Sequence, residues 1–212
     1  SSMEEVLIIG TEDNTTISVN NKTNADIKIN KGDYFTLDKS SFQNDAIYLL
    51  GNKNFYVYQF FGAGTTPYKA FSSGGMILVP PLDCYFSRNI ENIAYPNEIY
   101  SNEFKTKLNV ITKKTALIQL NGNPLSSTIL PNTIVGNDEW VYYIIPNIEG
   151  KINSISSTKG MYVQLIGGNT SVGYGASYSG FSKEPEIVIS ADKTCIPGAE
   201  LSIDEVFDFY HW

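Results

Sequence analysis

The stretch "KGMYVQLIGG" (159–168) reads as a β-strand. Apolar and polar side chains alternate, β-branched and aromatic residues are frequent, and a Gly-Gly pair closes it. It has an echo about a hundred residues earlier, "KNFYVYQFFG" (53–62). A second pair matches in the same way, "TISVN" (16–20) with "LIQLN" (117–121). Further alternating runs are "TTISVN" (15–20), "ADIKIN" (25–30), "DYFTLD" (33–38), "FYVYQFF" (55–61) and "ALIQLNG" (116–122). "NKGD" and "GNKN" lie between such runs and are turn material, because Asn and Gly tolerate positive φ.

No long segment carries apolar residues at helical spacing. The pattern therefore predicts an all-β chain, a β-sandwich made of two related antiparallel β-units, with pseudo-repeats over 5–62 and 106–168. A closed barrel is the main alternative. The region 86–105, "FSRNIENIAYPNEIYSNEFK", is the least strand-like and predicts a helical turn before Pro96 or a long loop.

Composition shifts at "FSKEPE" (181–186), where Pro185 suits an edge or a linker. Domain boundaries are thus expected at 5–182 and 186–212. The second segment, with Cys195, a Pro-Gly turn and Tyr210 and Trp212, reads as the first strands of an immunoglobulin-like or PKD-like domain.

Bulk properties exclude several functions. The 212 residues carry a net charge of −7, which disfavours nucleic acid and anionic membranes. Charged residues make up only 17%, beside 14 Tyr and 11 Phe, which argues for a folded domain rather than disorder. No run approaches the roughly 20 apolar residues of a membrane-spanning helix. The opening "SSMEE" reads as an added leader, so the lack of a signal peptide says nothing about compartment.

Chemistry-bearing residues are sparse. His211 is the sole imidazole, which disfavours a Ser-His-Asp or Cys-His relay, and the two cysteines are too isolated for a zinc site. In a secreted protein Cys84 and Cys195 could pair as a disulfide, though Cys195 would more naturally find its partner in the following domain. "GYGASYSG" (173–180) lacks the Lys-Ser/Thr and the following helix of a phosphate-binding loop, so its glycines read as structural.

Calcium is the metal to weigh. "GTEDNT" (10–15), with Asp13 and Asn14, and "GNDEW" (136–140), with Asp138 and Glu139, gather oxygen ligands in turns, but neither has EF-hand spacing. Otherwise no cofactor is expected. Tyr68, Tyr95, Tyr100, Tyr174 and Tyr178 fall in expected loops and are the candidate ligand-binding residues, offering rigid amphipathic area to glycans or proteins. "NTT" (14–16), "NKT" (21–23) and "NTS" (169–171) fit the N-glycosylation pattern.

The order of "VLIIGTEDNTTISVN", "GDYFTLD", "FYVYQFFG", "MILVPPLDCYF", "VITKKTALIQLNG" and "GYGASYSGF" resembles the IgGFc-binding-protein N-terminal domain family, over about residues 5–182. The resemblance implies an extracellular, cell-surface β-module without enzymatic activity. Such modules sit in large surface or secreted proteins; in Bacteroidota they lie beside immunoglobulin-like or PKD-like repeats, and some belong to gliding-motility adhesins. Implied partners are surface glycans or proteins and the neighbouring repeats of the same chain. The resemblance carries over no binding residues, and it places "GYGASYSGF" as a closing strand and turn with Tyr174 or Tyr178 packed. A ligand-free stalk unit and a carbohydrate-active enzyme using two carboxylates are the competing expectations.

Overall fold

Every strand pairing among the described residues is antiparallel. The computed structural model describes residues 3–22, 25–61, 75–82, 86–94, 105–146, 148, 152–168, 173–178, 187–191 and 199–203. Eighteen strands lie among them, and no helix longer than one 3-10 turn, Lys39–Ser41.

The first half supplies β1 (Met3–Gly10), β2 (Thr15–Val19), β3 (Ile27–Ile29), β4 (Tyr34–Asp38), β5 (Leu49–Gly51), β6 (Phe55–Phe61) and β7 (Gly75–Val79). Sheet I has the order β4-β1-β6-β7 and sheet II the order β3-β2-β5. Val6, Ile8 and Leu37 of sheet I meet Ile17, Val19, Ile27 and Ile29 of sheet II in one buried cluster. Alternation places them there: along β2, Thr15, Ile17 and Val19 are buried while Thr16 and Ser18 are not.

The second half supplies β8 (Asn89–Glu91), β9 (Lys105–Lys113), β10 (Ile118–Leu120), β11 (Asn123–Pro124), β12 (Asn132–Ile134), β13 (Asn137–Pro146), β14 (Ser154–Ser157), β15 (Met161–Gly168) and β16 (Gly173–Tyr178). Sheet III runs β12-β13-β9-β15-β16 and sheet IV runs β11-β10-β14-β8. Their core is larger and includes Leu108, Val110, Val141, Ile145, Ile155, Met161, Val163 and Leu165. The last two strands, β17 (Ile187–Ala191) and β18 (Ala199–Ile203), form a separate hairpin.

The two sandwiches are related strand by strand. The order β4-β1-β6-β7 in sheet I becomes β13-β9-β15-β16 in sheet III, and β3-β2-β5 in sheet II becomes β11-β10-β14 in sheet IV. Strands β12 and β8 are additions at the sheet edges. The two sequence echoes fall on β2 with β10 and on β6 with β15.

Turns are built from asparagine. Asn20 and Asn21 both have positive φ, as do Asn44 and Asp45, and Asn121 and Gly122. A consecutive positive-φ pair is the signature of a type I′ turn, whose twist matches that of the flanking strands. One expectation is corrected here: within 86–105 the described residues include strand β8 rather than a helical turn. Ile90 alone is buried in this three-residue strand, too short a run for periodicity to reveal.

Because Leu165 lies at the centre of the second core, Leu165→Ala should cost about 2–5 kcal/mol in chemical denaturation. Leu117→Ala, at a position 71% exposed, should stay within about 0.5 kcal/mol.

Candidate functional site

The residues singled out by sequence fare unevenly. Tyr68, Tyr95, Tyr100, Cys84 and Cys195 lie outside the described residues. Tyr174 and Tyr178 sit on β16 rather than in a loop, in agreement with the closing strand that the resemblance implied, and both pack against the second core. The Tyr174 hydroxyl is hydrogen-bonded to the Thr106 hydroxyl. Its ring lies over Gly167, its register partner on β15, where any Cβ would collide with the phenol. The glycine that admits Tyr174 is therefore on the neighbouring strand, not in the Gly-Tyr-Gly run itself. The Tyr178 hydroxyl accepts a hydrogen bond from the Ala94 amide at 3.0 Å.

Two of the calcium candidates, Asp13 and Glu139, have other side-chain partners. The Asp13 carboxylate accepts from the Lys31 amide at 3.1 Å, and the Asn14 amide, at φ 57°, donates to the Asn30 side chain. Asp138 and Glu139 stand on β13 rather than in a turn, and Glu139 is 2.6 Å from the Lys113 ammonium. That contact holds the Glu139 carboxyl below its ordinary range. Among the described residues no three His, Cys, Asp or Glu side chains gather as a metal set.

The feature that sequence reasoning missed is the outer face of sheet I. Successive rows across the strands read Tyr34–Ile9–Tyr56, then Thr36–Leu7–Tyr58–Leu78, then Asp38–Glu5–Phe60–Met76. Tyr34 is 70% exposed, Tyr56 55% and Met76 55%, with Leu78 also open to solvent. This is a contiguous aromatic and aliphatic surface on a hydrogen-bonded sheet, the kind of patch that marks an interaction site. A signal was present: in "FYVYQFF" one phase is wholly aromatic (Tyr56, Tyr58, Phe60) and the other is apolar except for Gln59, so neither face of the strand is mainly polar. At one end of the surface, Ser40 holds the Asp38 carboxyl below its usual range through side-chain and backbone hydrogen bonds.

The matching face of sheet III is covered. Trp140, Tyr142, Tyr162, Ile134 and Phe86 form a third buried cluster, joined by Ala46, Tyr48 and Val79 from the first sandwich. Phe86 meets Trp140 edge-on at 6.0 Å and lies over Tyr162 at 6.1 Å. The Tyr142 hydroxyl donates to the Asn44 carbonyl, and the Tyr162 hydroxyl to the Leu78 carbonyl at 3.3 Å. Gln164 Nε2 donates to Gln59 Oε1 at 2.9 Å and to Tyr162 Oη at 3.1 Å, linking the halves through a buried amide pair. Gln59 Nε2 and Asn109 Oδ1 have no partner at this seam, a cost that two apolar residues would avoid.

Burial shifts the ionisable groups at the junction. It pushes the Tyr162 phenol up, against the opposing hydrogen bonds of Gln164 and Ser177. Burial raises Tyr142 too, aided by the nearby Asp45 carboxylate. Lys107 is pushed down by burial, partly offset by Asp45.

The family model described as IgGFc binding protein matches residues 1–167, the whole first sandwich and the second through β15. The chain belongs to the IgGFc-binding protein family. No curated protein and no solved structure matches it. In this IgGFc-binding family member, therefore, the matched span covers the Gln59–Gln164 seam as well as the exposed face of sheet I.

Alkaline stability should report on the junction. A tyrosine whose folded pKa is raised gives full stabilisation below its ordinary value of 10.0, lost as the pH climbs through the folded value. Lys107, with its pKa lowered, acts in the opposite sense, stability rising towards its ordinary 10.5. Unfolding free energies measured from about pH 9 to about pH 11 should therefore fall less steeply in Tyr162→Phe than in the parent.

Proposed function

We propose that this chain is a non-enzymatic extracellular binding module that engages a protein partner through the outer face of sheet I. The single observation behind this reading is the exposed Tyr34, Tyr56, Leu78 and Met76 surface carried on a paired sheet. Family membership supports it, since the family is named for binding a protein. Composition supports a protein over a glycan: tyrosines are interleaved with Leu7, Ile9, Leu78 and Met76, and Tyr and Met are enriched in protein interfaces. The net charge of −7 argues against nucleic acid. The cell-surface setting, in a modular adhesin with immunoglobulin-like or PKD-like neighbours, is the one the sequence resemblance implies, and it suits a rigid module that meets other proteins.

The test is direct binding of the whole chain to immobilised immunoglobulin Fc, to intact cell surfaces and to a glycan array. The parent is expected to bind a protein probe, and Tyr34→Ser with Tyr56→Ser to weaken it by about tenfold or more, since buried interface tyrosines are common hot spots. Binding to glycans alone, or protein binding unchanged in the double variant, would overturn the assignment. Absence of any binding would leave a ligand-free stalk unit as the better description.

A further inference from the structure

The two edges of sheet I differ. β7 lies against β16 of the second sandwich, whereas β4 is paired on one side only among the described residues. The Gly10 amide donates to the Asp33 carbonyl at 2.9 Å, so that carbonyl turns towards β1. Backbone groups alternate in direction along a strand. Phe35 and Leu37 therefore point theirs at β1, and Tyr34, Thr36 and Asp38 point their N–H and C=O groups at the open edge. Phe35 belongs to the core-facing side of the strand, with Leu37, yet it is 40% exposed.

The equivalent edge of the second sandwich is closed. The row Tyr34–Ile9–Tyr56 matches Tyr142–Ile111–Tyr162, which makes Tyr142 to Pro146 the counterpart of Tyr34 to Asp38. The Tyr142 carbonyl also points outward. It accepts from the Asn132 side chain at 3.3 Å, and β12 pairs with Val141 and Tyr142. At the other end Pro146 has no N–H to offer a further strand. β4 has none of these devices: no strand on its outer side among the described residues, no proline and no lysine within it.

The β4 sequence is complementary to itself. Two antiparallel copies with Thr36 opposite Thr36 place Tyr34 opposite Asp38, so every outward-pointing residue meets another. On the core side Phe35 comes opposite Leu37, an apolar pair that covers the exposed ring. Just beyond the strand, the exposed Asp33 comes opposite the exposed Lys39, once on each side of the axis. Other registers fit less well. A centre at Phe35 leaves Asp38 outside the pairing and sets Asp33 against Leu37. A centre at Leu37 leaves Tyr34 out and sets Lys39 against Phe35. A centre at Asp38 sets two carboxylates directly opposite each other. We propose that β4 is a dimerisation edge, where two copies of this chain join β4 to β4, antiparallel and centred on Thr36, in one continuous sheet to which each copy supplies its four strands. The contact is isologous and closes at two copies. It goes beyond the proposed function, which needs the outer face alone, and it doubles that face. Tyr34, Thr36 and Asp38 lie on the outer side, so both aromatic surfaces come to the same side of the joined sheet. Two linked sites bind a repeated target with an avidity that one site lacks.

Sedimentation velocity of the whole chain from about 1 to about 200 µM tests this, with thermal unfolding as a control for folding. The expected result is a monomer that passes to a dimer and no further. Thr36→Pro removes an N–H that points away from β1 and should weaken the dimer about tenfold or more. Lys39→Glu leaves the strand untouched and should weaken it about threefold or more; adding Asp33→Lys should restore it, because the exchanged charges are again opposite. Tyr56→Ser, on β6 away from the edge, should leave it unchanged. Hydrogen exchange should show the Tyr34, Thr36 and Asp38 amides gaining protection as the parent is concentrated. A chain that stays monomeric overturns the proposal. So does a dimer indifferent to Thr36→Pro and Lys39→Glu, or one that Tyr56→Ser abolishes, since the contact would then lie on the face and not on the edge.

Discussion

Strand β15 is a wall shared by two packed regions, and that constraint governs much of the molecule. Met161, Val163 and Leu165 face the core of the second sandwich, while Tyr162, Gln164 and Ile166 are buried on the other side. A strand flanked by protein on both faces cannot follow the polar-out rule of a solvated antiparallel sheet. Two of its outer residues are instead matched to the first sandwich: one aromatic that ends in a hydroxyl and one amide. The hydroxyl and the amide meet Leu78 and Gln59, so the halves are set in register by directional bonds as well as by burial.

Polar contacts at this seam are not the cheapest way to join two sheets. Gln59 is only 5% exposed and Gln164 only 3%, and one amide nitrogen and one amide oxygen nearby go unsatisfied. Apolar residues of the same volume would avoid that cost. What amides supply is selectivity, because a slipped or rotated packing would leave still more of their atoms unpaired. The aromatic cluster of Phe86, Trp140 and Tyr162 provides the area, with the Lys113 ammonium 4.6 Å above the Trp140 ring at its edge.

Much of the fold was legible in the residues themselves. Alternation in "TTISVN" and "ADIKIN" gave the strands and their inward faces, and the turn asparagines lie where positive φ is required. The pairing of "KNFYVYQFFG" with "KGMYVQLIGG" falls on topologically equivalent strands. Strands of two to four residues such as β8, β11 and β14 left no readable period, since burial at one or two positions looks the same in a loop. The exposed face was missed for a different reason. Alternation tells which residues share a side but not which side is wet, and in β6 both sides are mostly apolar. Tyr174 reads as a loop residue from the sequence pattern and as part of a closing strand from the resemblance; its real constraint, the missing side chain at Gly167, sits across a strand boundary that only three dimensions reveal.

The order of the two sandwiches along the chain has a consequence for biogenesis. Everything that the second unit leans on, the carbonyls of Asn44 and Leu78 and the side chains of Gln59 and Tyr48, is encoded before its own strands begin. During synthesis, N-terminal regions can fold before later ones emerge. The platform for the second unit can thus be complete before Trp140, Tyr142 and Tyr162 leave the ribosome, which shortens the time that their sticky face spends without cover. Swapping the order of the halves would remove that protection.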